Sequence, residues 1–395
     1  MTTFSKFFSE HVEQQTCQSL LLHTGSCSEY FLKNLPFYVA STMKYFFPIC
    51  FASLLINIRK LDKKKFRNCL KYYLYCCLTG GSIGMVTIIL VCLMRNIRGR
   101  FGLYSLVYLP SLLAGFIINF ASGRTQNLCT TALIQSNVES FFRMRNNFLN
   151  RAIHDSKMLQ TSIFMICSAI IMQGKHLYQT KGFWLLQPNP KVKELENNET
   201  GRCQFHSKIC CRQHLIEGLR KYFAMGLALD LIGTLVRKVE PSKRGHSVVL
   251  AKLKHFRIGT VLLFPAYVGI YRLTHCLLNR CVVYNEDHLH CFAAFVAGIC
   301  YPLYPQPSLF SYALLHSTRT LWSILEIKNL KTQNEFLKYL LKLPFACIFF
   351  PFALANTAHW VCLNPKYASG LGSTILNGIT NKYANHLQTV IKNLQ

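Results

Sequence analysis

The sequence predicts an all-α polytopic membrane protein, an internally duplicated helix bundle with about 8–10 membrane segments. Three observations carry that expectation: an apolar composition, recurring charge-free runs of span length, and motif pairs that repeat in the same order in both halves. Of 395 residues, 51% are hydrophobic and only 15% charged, where ordinary soluble domains carry roughly 25% charged residues.

A membrane span takes about 20 mostly apolar residues. Residues 72–94, 101–123 and 343–365 contain no Lys, Arg, Asp or Glu, and neither does the shorter run 158–174. Residues 35–58 carry only Lys44, whose stem can lie along lipid while its ammonium reaches water. Residues 222–236 contain Asp230, and 258–279 contain Arg272 near one end. The long run 289–318 is interrupted by Pro302, Pro305 and Pro307, which end one helix and begin the next. Residues 125–142 include Gln135, Asn137 and Glu139. A central acid costs about 2.5–3.5 kcal/mol on insertion. Two readings stay open there: a shielded helix with its polar face inward, or an amphipathic helix on the membrane surface.

Lys and Arg total 44 against 16 Asp and Glu, a formal net charge of +28. The basic residues cluster between apolar runs, as "RKLDKKKFR" (59–67), "RNIRGR" (95–100) and "RKVEPSKRGH" (237–246). Such clusters suit anionic lipid headgroups. No nucleic-acid recognition motif accompanies them, so the lipid bilayer is the expected partner and nucleic acid is not. Consecutive loops are both basic, which leaves the orientation open.

Duplication is read from spacing. Ala114-Gly115 reappears as Ala297-Gly298 after 183 residues, and Ala132, Leu133 and Ser136 reappear as Ala313, Leu314 and Ser317 after 181. Flanking runs pair in the same order: 35–58 with 222–236, 72–94 with 258–279, 158–174 with 343–365. The expected organisation is an N-terminal Cys/His segment (1–34), repeat 1 (35–178), a polar linker with a second Cys/His segment (179–215), repeat 2 (216–363) and a tail (364–395). Five segments per half would set the copies in opposite orientations, as in inverted-repeat transporters. Gly80, Gly81, Gly84, Ala114, Gly115, Ala297 and Gly298 are the expected helix-packing positions, because small residues let helices approach closely.

Eighteen cysteines occur. Cys50, Cys76, Cys77, Cys92, Cys167, Cys347 and Cys362 fall in or beside apolar runs and read as small buried hydrophobes. Two polar segments combine Cys with His: His11, Cys17, His23 and Cys27, then Cys203, His206, Cys210, Cys211 and His214. Thiolate and imidazole suit structural zinc, but neither segment has CxxC spacing. Metal, disulfide and free thiol all stay open, with the second segment the preferred metal set. The first residues lack the features of a signal peptide, and the last are no retention or peroxisomal tripeptide.

No HExxH, GxSxG or GxxxxGK[ST] motif is present, so no hydrolase or nucleotide chemistry is indicated. Glu286 and Asp287 are adjacent and diverge by about 100° on a helix, a poor acid–base pair. They suit a helix entrance, where an acid gains roughly 0.3–1 kcal/mol from the macrodipole, with Arg280 upstream and His290 downstream. The expectation is a protein without catalytic residues or cofactor, structural zinc aside. Gln135, Glu139, Asp230, His316 and Arg319 are polar groups at expected membrane depth, which commonly mark pathways or buried pairs.

Arg280, the Glu286–Asp287 pair, His290 and the following small-residue helix resemble the mitochondrial inner-membrane translocase channel superfamily. The whole chain more closely resembles the transmembrane protein 135 family, also called peroxisomal membrane protein 52. That likeness rests on "SCSEYFLK", "ESFFRM" (139–144), "RCQFHSKICC" with Cys203, His206 and Cys211, and "EDHLH". One departure is Phe295, where that family usually has glycine, with Gly298 one turn on. The resemblance implies a multipass protein of peroxisomal and mitochondrial membranes, without enzymatic activity. It further implies roles in mitochondrial fission and peroxisome-linked lipid metabolism. Recruitment of fission machinery through Lys63, Lys64 and Lys65 is a variant of this expectation. The alternative is a lipid or small-solute transporter or scramblase with a polar path between the repeats.

Overall fold

The computed structural model describes residues 6–21, 25–56, 62–144, 148–180, 210–236, 258–281, 286–329 and 345–394, with isolated positions at 182, 184–186, 188 and 335. Among them every regular element is helical. A π-turn at Phe8–Val12 precedes α1 (Cys17–Leu21), α2 (Cys27–Ile56) and α3 (Lys63–Arg98). Next come α4 (Tyr108–Gly115), a 3-10 turn at Phe116–Phe120, α5 (Gly123–Arg143), α6 (Phe148–Asp155), α7 (Lys157–Tyr178) and α8 (Cys211–Val236). Then follow α9 (Gly259–Cys281), α10 (Glu286–Ala297), a 3-10 turn at Gly298–Leu303 and α11 (Pro307–Asn329). The last three are α12 (Phe345–Leu363), α13 (Gly370–Ile379) and α14 (Tyr383–Leu394).

Local chemistry sets these ends. Ser122, Ser156 and Ser369 cap α5, α7 and α13, each hydroxyl accepting a backbone N–H three residues on, which satisfies an otherwise orphaned donor. Gly99 closes α3 at φ 72°, its N–H donating to Arg95, in the left-handed conformation that glycine adopts without strain. Pro307 opens α11, where its missing N–H is not needed.

Three helical segments are long and apolar enough to cross a membrane: Lys63–Arg98, Gly259–Asn279 and Ala346–Leu363. Tyr108–Phe120 and His288–Leu303 are shorter. The charge-free run 101–123 is therefore not one continuous span. After Gly99 the chain turns, with the Ser105 hydroxyl accepting from Gly102 N–H at 2.8 Å, and helix begins only at Tyr108. Roughly 20 Å of helix results, short of a ~30 Å hydrocarbon core.

The chain divides into two compact units, Met1–Asn150 with Tyr339–Gln395, and Arg151–Lys338. In the first, α2 and α3 form a hairpin, α3 packs on α4, and α12 lies across α4 and α5. A Cβ on Gly115 would stand 2.6 Å from the Cα of Pro351 in α12, and one on Gly80 would stand 2.7 Å from the Phe46 ring. Gly84 meets the backbone of Ile379, whereas Gly81 has only an ordinary neighbour, Thr42 at 3.6 Å. Ala114 is fully buried. The polar side of α5 faces inward: Asn137 donates to the Ala353 carbonyl at 2.8 Å and accepts from Thr357 at 3.0 Å, and Ser136 bonds Ser369 at 2.6 Å.

In the second unit, α8 and α9 form a hairpin, α9 packs on α10, and α7 lies across α10 and α11. A Cβ on Gly298 would stand 2.7 Å from the Cα of Met165 in α7, and Ala297 beside it is fully buried. Phe295 is partly exposed, so Gly298, not position 295, makes the close approach. The two units cut across the sequence segments 35–178 and 216–363: α7 groups with the later helices and α12 with the earlier ones.

Gly115→Ala and Gly298→Ala are each expected to destabilise the protein by about 1–3 kcal/mol through overpacking. Gly81→Ala is expected to stabilise it by about 0.4–1 kcal/mol, since a methyl there meets no close atom and helix entropy is regained. Equilibrium unfolding in detergent micelles measures all three.

Candidate functional site

Three constellations of polar or sulfur-bearing side chains stand out. The first lies in the unit that contains the N-terminal segment. Cys17 on α1, Cys27 at the start of α2 and Cys92 late in α3 place their sulfur atoms within 4.8 Å of one another. Cys17 and Cys92 are buried and Cys27 is partly exposed. The segment is anchored by buried Phe8, Val12 and Leu20. It is anchored as well by Phe101 N–H donating to the Glu13 carbonyl at 3.0 Å and by an Arg100–Glu13 ion pair at 2.8 Å. Hydrogen bonding with Cys92 pulls the Cys17 thiol below its ordinary value against the raising effect of burial. Cys27 and the Arg95 guanidinium add to that lowering.

This group redraws the metal expectation for the first Cys/His segment. Cys17 and Cys27 are joined by Cys92, which reads in sequence as a small buried hydrophobe and is buried here. His11 instead stacks on Phe7, with Nδ1 at 3.3 Å from the Phe7 carbonyl, and His23 lies outside the described residues. Of the second segment, Cys203 and His206 also lie outside them. Cys210 is exposed, Cys211 is half-buried, and His214 is buried, its carbonyl accepting from Arg272.

The second constellation is a histidine cluster in the other unit. The His290 ring on α10 lies 4.1 Å from that of His176 on α7 and 4.6 Å from that of His275 on α9, centroid to centroid. Tyr271 Oη stands 2.5 Å from His290 Nδ1. His290, read as part of a helix entrance, is thus an interior residue one turn inside α10. That helix does begin at Glu286; the side chains of Arg280, Glu286 and Asp287 lie outside the described residues. Below the histidines, Ser168 bonds Tyr267 at 2.7 Å and donates to the Ala294 carbonyl at 2.8 Å, while Trp184 donates to Tyr267 at 3.0 Å. This node ties α7, α9, α10 and the segment after α7 together.

The third set comprises the polar residues expected at membrane depth. Asp230 on α8 accepts from the backbone N–H groups of Thr260 and Val261, both at 3.0 Å. It therefore caps the first turn of α9, where anionic oxygen also meets the positive end of the helix dipole. Gly226, one turn earlier, lets the two backbones close, and Thr260 Oγ1 donates to its carbonyl at 2.9 Å. Glu139 is buried and paired with Arg143 on the same helix at 2.5 Å, and Arg143 also donates to the Ala368 carbonyl at 3.0 Å. His316 is buried between Trp184 and Tyr312. Gln135 and Arg319 are half-buried on α5 and α11. The bonds made by Asp230, Asn137 and Arg143 fasten helix to helix or to an adjacent turn.

Compared with known proteins, the chain matches no family model, no curated protein and no solved structure.

Asp230→Ala is expected to cost about 1–2 kcal/mol by uncapping α9, and Asp230→Asn less than half as much because an amide oxygen still accepts. Unfolding titrations of both variants check this; equal losses would mean that the carboxylate's charge, not its acceptor geometry, matters.

Proposed function

We propose that the chain is an internally duplicated, multipass organelle-membrane protein, resident in peroxisomal or mitochondrial membranes or both. On this reading it regulates mitochondrial fission and peroxisome-linked lipid metabolism and catalyses no reaction. The observation that carries the architecture is a packing order that occurs twice. α2, α3, α4 and α5 with α12 in one unit correspond to α8, α9, α10 and α11 with α7 in the other. α4 and α10 each run into a 3-10 turn, and at each junction a glycine, Gly115 or Gly298, meets the backbone of the incoming helix. The glycines are the pair that the 183-residue offset matches. Each half would then lend its last long helix to the other.

Membrane residence draws support from the three apolar helices and from their exposed faces, which include Leu74, Leu78 and Leu93 on α3, Leu273 and Leu277 on α9, and Phe349 and Phe352 on α12. Large exposed apolar faces require a covering, and hydrocarbon supplies it. Lys63, Lys64 and Lys65 stand exposed at the start of α3, suited to anionic headgroups or to a recruited fission partner. The organelle and the fission role rest on the resemblance to the transmembrane protein 135 family. Asp230 and Glu139, two residues of the alternative polar path, are each hydrogen-bonded within the fold.

In cells, a tagged chain is expected to resist alkaline carbonate extraction and to overlap mitochondrial or peroxisomal membrane markers. Its removal is expected to lengthen the mitochondrial network. Release into the soluble fraction, or an unchanged network, would contradict the proposal. In reconstituted vesicles, fluorescent-lipid flux above that of empty vesicles would favour a scramblase instead.

A further inference from the structure

We propose that Cys17, Cys27 and Cys92 form an all-sulfur site for a thiophilic d10 ion, Zn²⁺ or Cu⁺, that clips the N-terminal segment to the end of α3. The proposal is independent of the organelle and of the fission role. It starts from geometry. An ion held by three thiolates at about 2.3 Å in a plane places the sulfurs about 4 Å apart. The three sulfurs lie within 4.8 Å of each other, so small side-chain rotations close the set. They come from three separate elements, α1, α2 and α3. Such convergence is what a structural ion exploits, because the binding free energy becomes free energy of docking.

The donor set selects the ion class. It is three sulfurs, with no imidazole or carboxylate in the group among the described residues. Soft thiolates favour Cu⁺ and Zn²⁺ over magnesium, calcium or manganese. Zinc would complete its usual four positions with a further ligand, whereas Cu⁺ is content with three sulfurs. Negative charge on buried thiolates needs a counter-charge. Arg95, one turn beyond Cys92, supplies one: its Nε donates to the Gln15 carbonyl at 3.4 Å, which holds the guanidinium against the same segment. Cys27, at the rim, leaves the ion a route in from solvent. A Cys17–Cys27 disulfide would account for two of the three thiols and leave the placement of Cys92 without a reason.

The test uses the full chain purified in detergent under reducing conditions. It is titrated with Zn²⁺ against a chromophoric zinc chelator, and separately with Cu⁺ against a copper(I) chelator. X-ray absorption on the loaded wild-type protein should show three sulfurs at about 2.3 Å, and the ion held more tightly identifies which metal the site takes. Cys17→Ser and Cys92→Ser should each weaken binding by about 100-fold or more, since even outer-shell changes cost 10–100-fold. The double variant Cys210→Ser/Cys211→Ser should bind as wild type does. A first shell of nitrogen and oxygen, binding lost in the Cys210/Cys211 variant but kept in Cys92→Ser, wild-type protein that holds neither ion, or a Cys17–Cys27 disulfide in freshly isolated protein would each overturn the proposal. The wild-type absorption measurement decides the matter even if the serine variants fail to fold.

Discussion

Two close backbone approaches organise this protein. At Gly115 against Pro351, and at Gly298 against Met165, helices meet at a separation that excludes a methyl group. Dispersion falls off within an ångström, so contact at this range gives each docked helix a continuous line of van der Waals partners. In lipid such packing matters more than in water, because burying one apolar side chain against another gains little over burying it in hydrocarbon. The position of α12 in one unit and of α7 in the other follows from these contacts.

Around them several polar groups removed from water find partners within the chain. Leaving a buried one unpaired costs about 1–3 kcal/mol. Asp230 answers two first-turn amides of α9, and Asn137 answers the Ala353 carbonyl of α12. Ser168, Tyr267 and Trp184 form a closed set in the other unit. Asp230 stands out in sequence because polarity inside an apolar run is conspicuous. Its partners are backbone amides, which no residue pattern displays.

Much of the helical framework was legible. The clean runs 72–94, 158–174 and 343–365 fall on α3, α7 and α12, and Pro302 to Pro307 do separate α10 from α11. Serine caps and Gly99 mark ends by ordinary local chemistry. Within its unit α5 turns Asn137 onto Ala353 and Thr357 of α12 and Ser136 onto Ser369 beyond it. What stayed hidden depends on distance along the chain. Nothing in "HVEQQTCQSLLLHTGSC" announces that its two cysteines meet Cys92. Spacing rules for metal sites look for ligands close in sequence, and this third sulfur lies inside an apolar helix. Similarly, the position of His290 beside Glu286 and Asp287 suggested a helix mouth, while its neighbours His176 and His275 come from other helices.

On the proposed duplication, two related sets of helices are completed by exchanging their last long members, α7 and α12. Co-expressing residues 1–178 and 216–395 as separate chains tests it directly. The two fragments are expected to copurify from membranes as a stable one-to-one complex, and each expressed alone to be degraded or to aggregate, lacking the helix that covers its glycine. Fragments that each purify alone as folded monomers and ignore one another would contradict it.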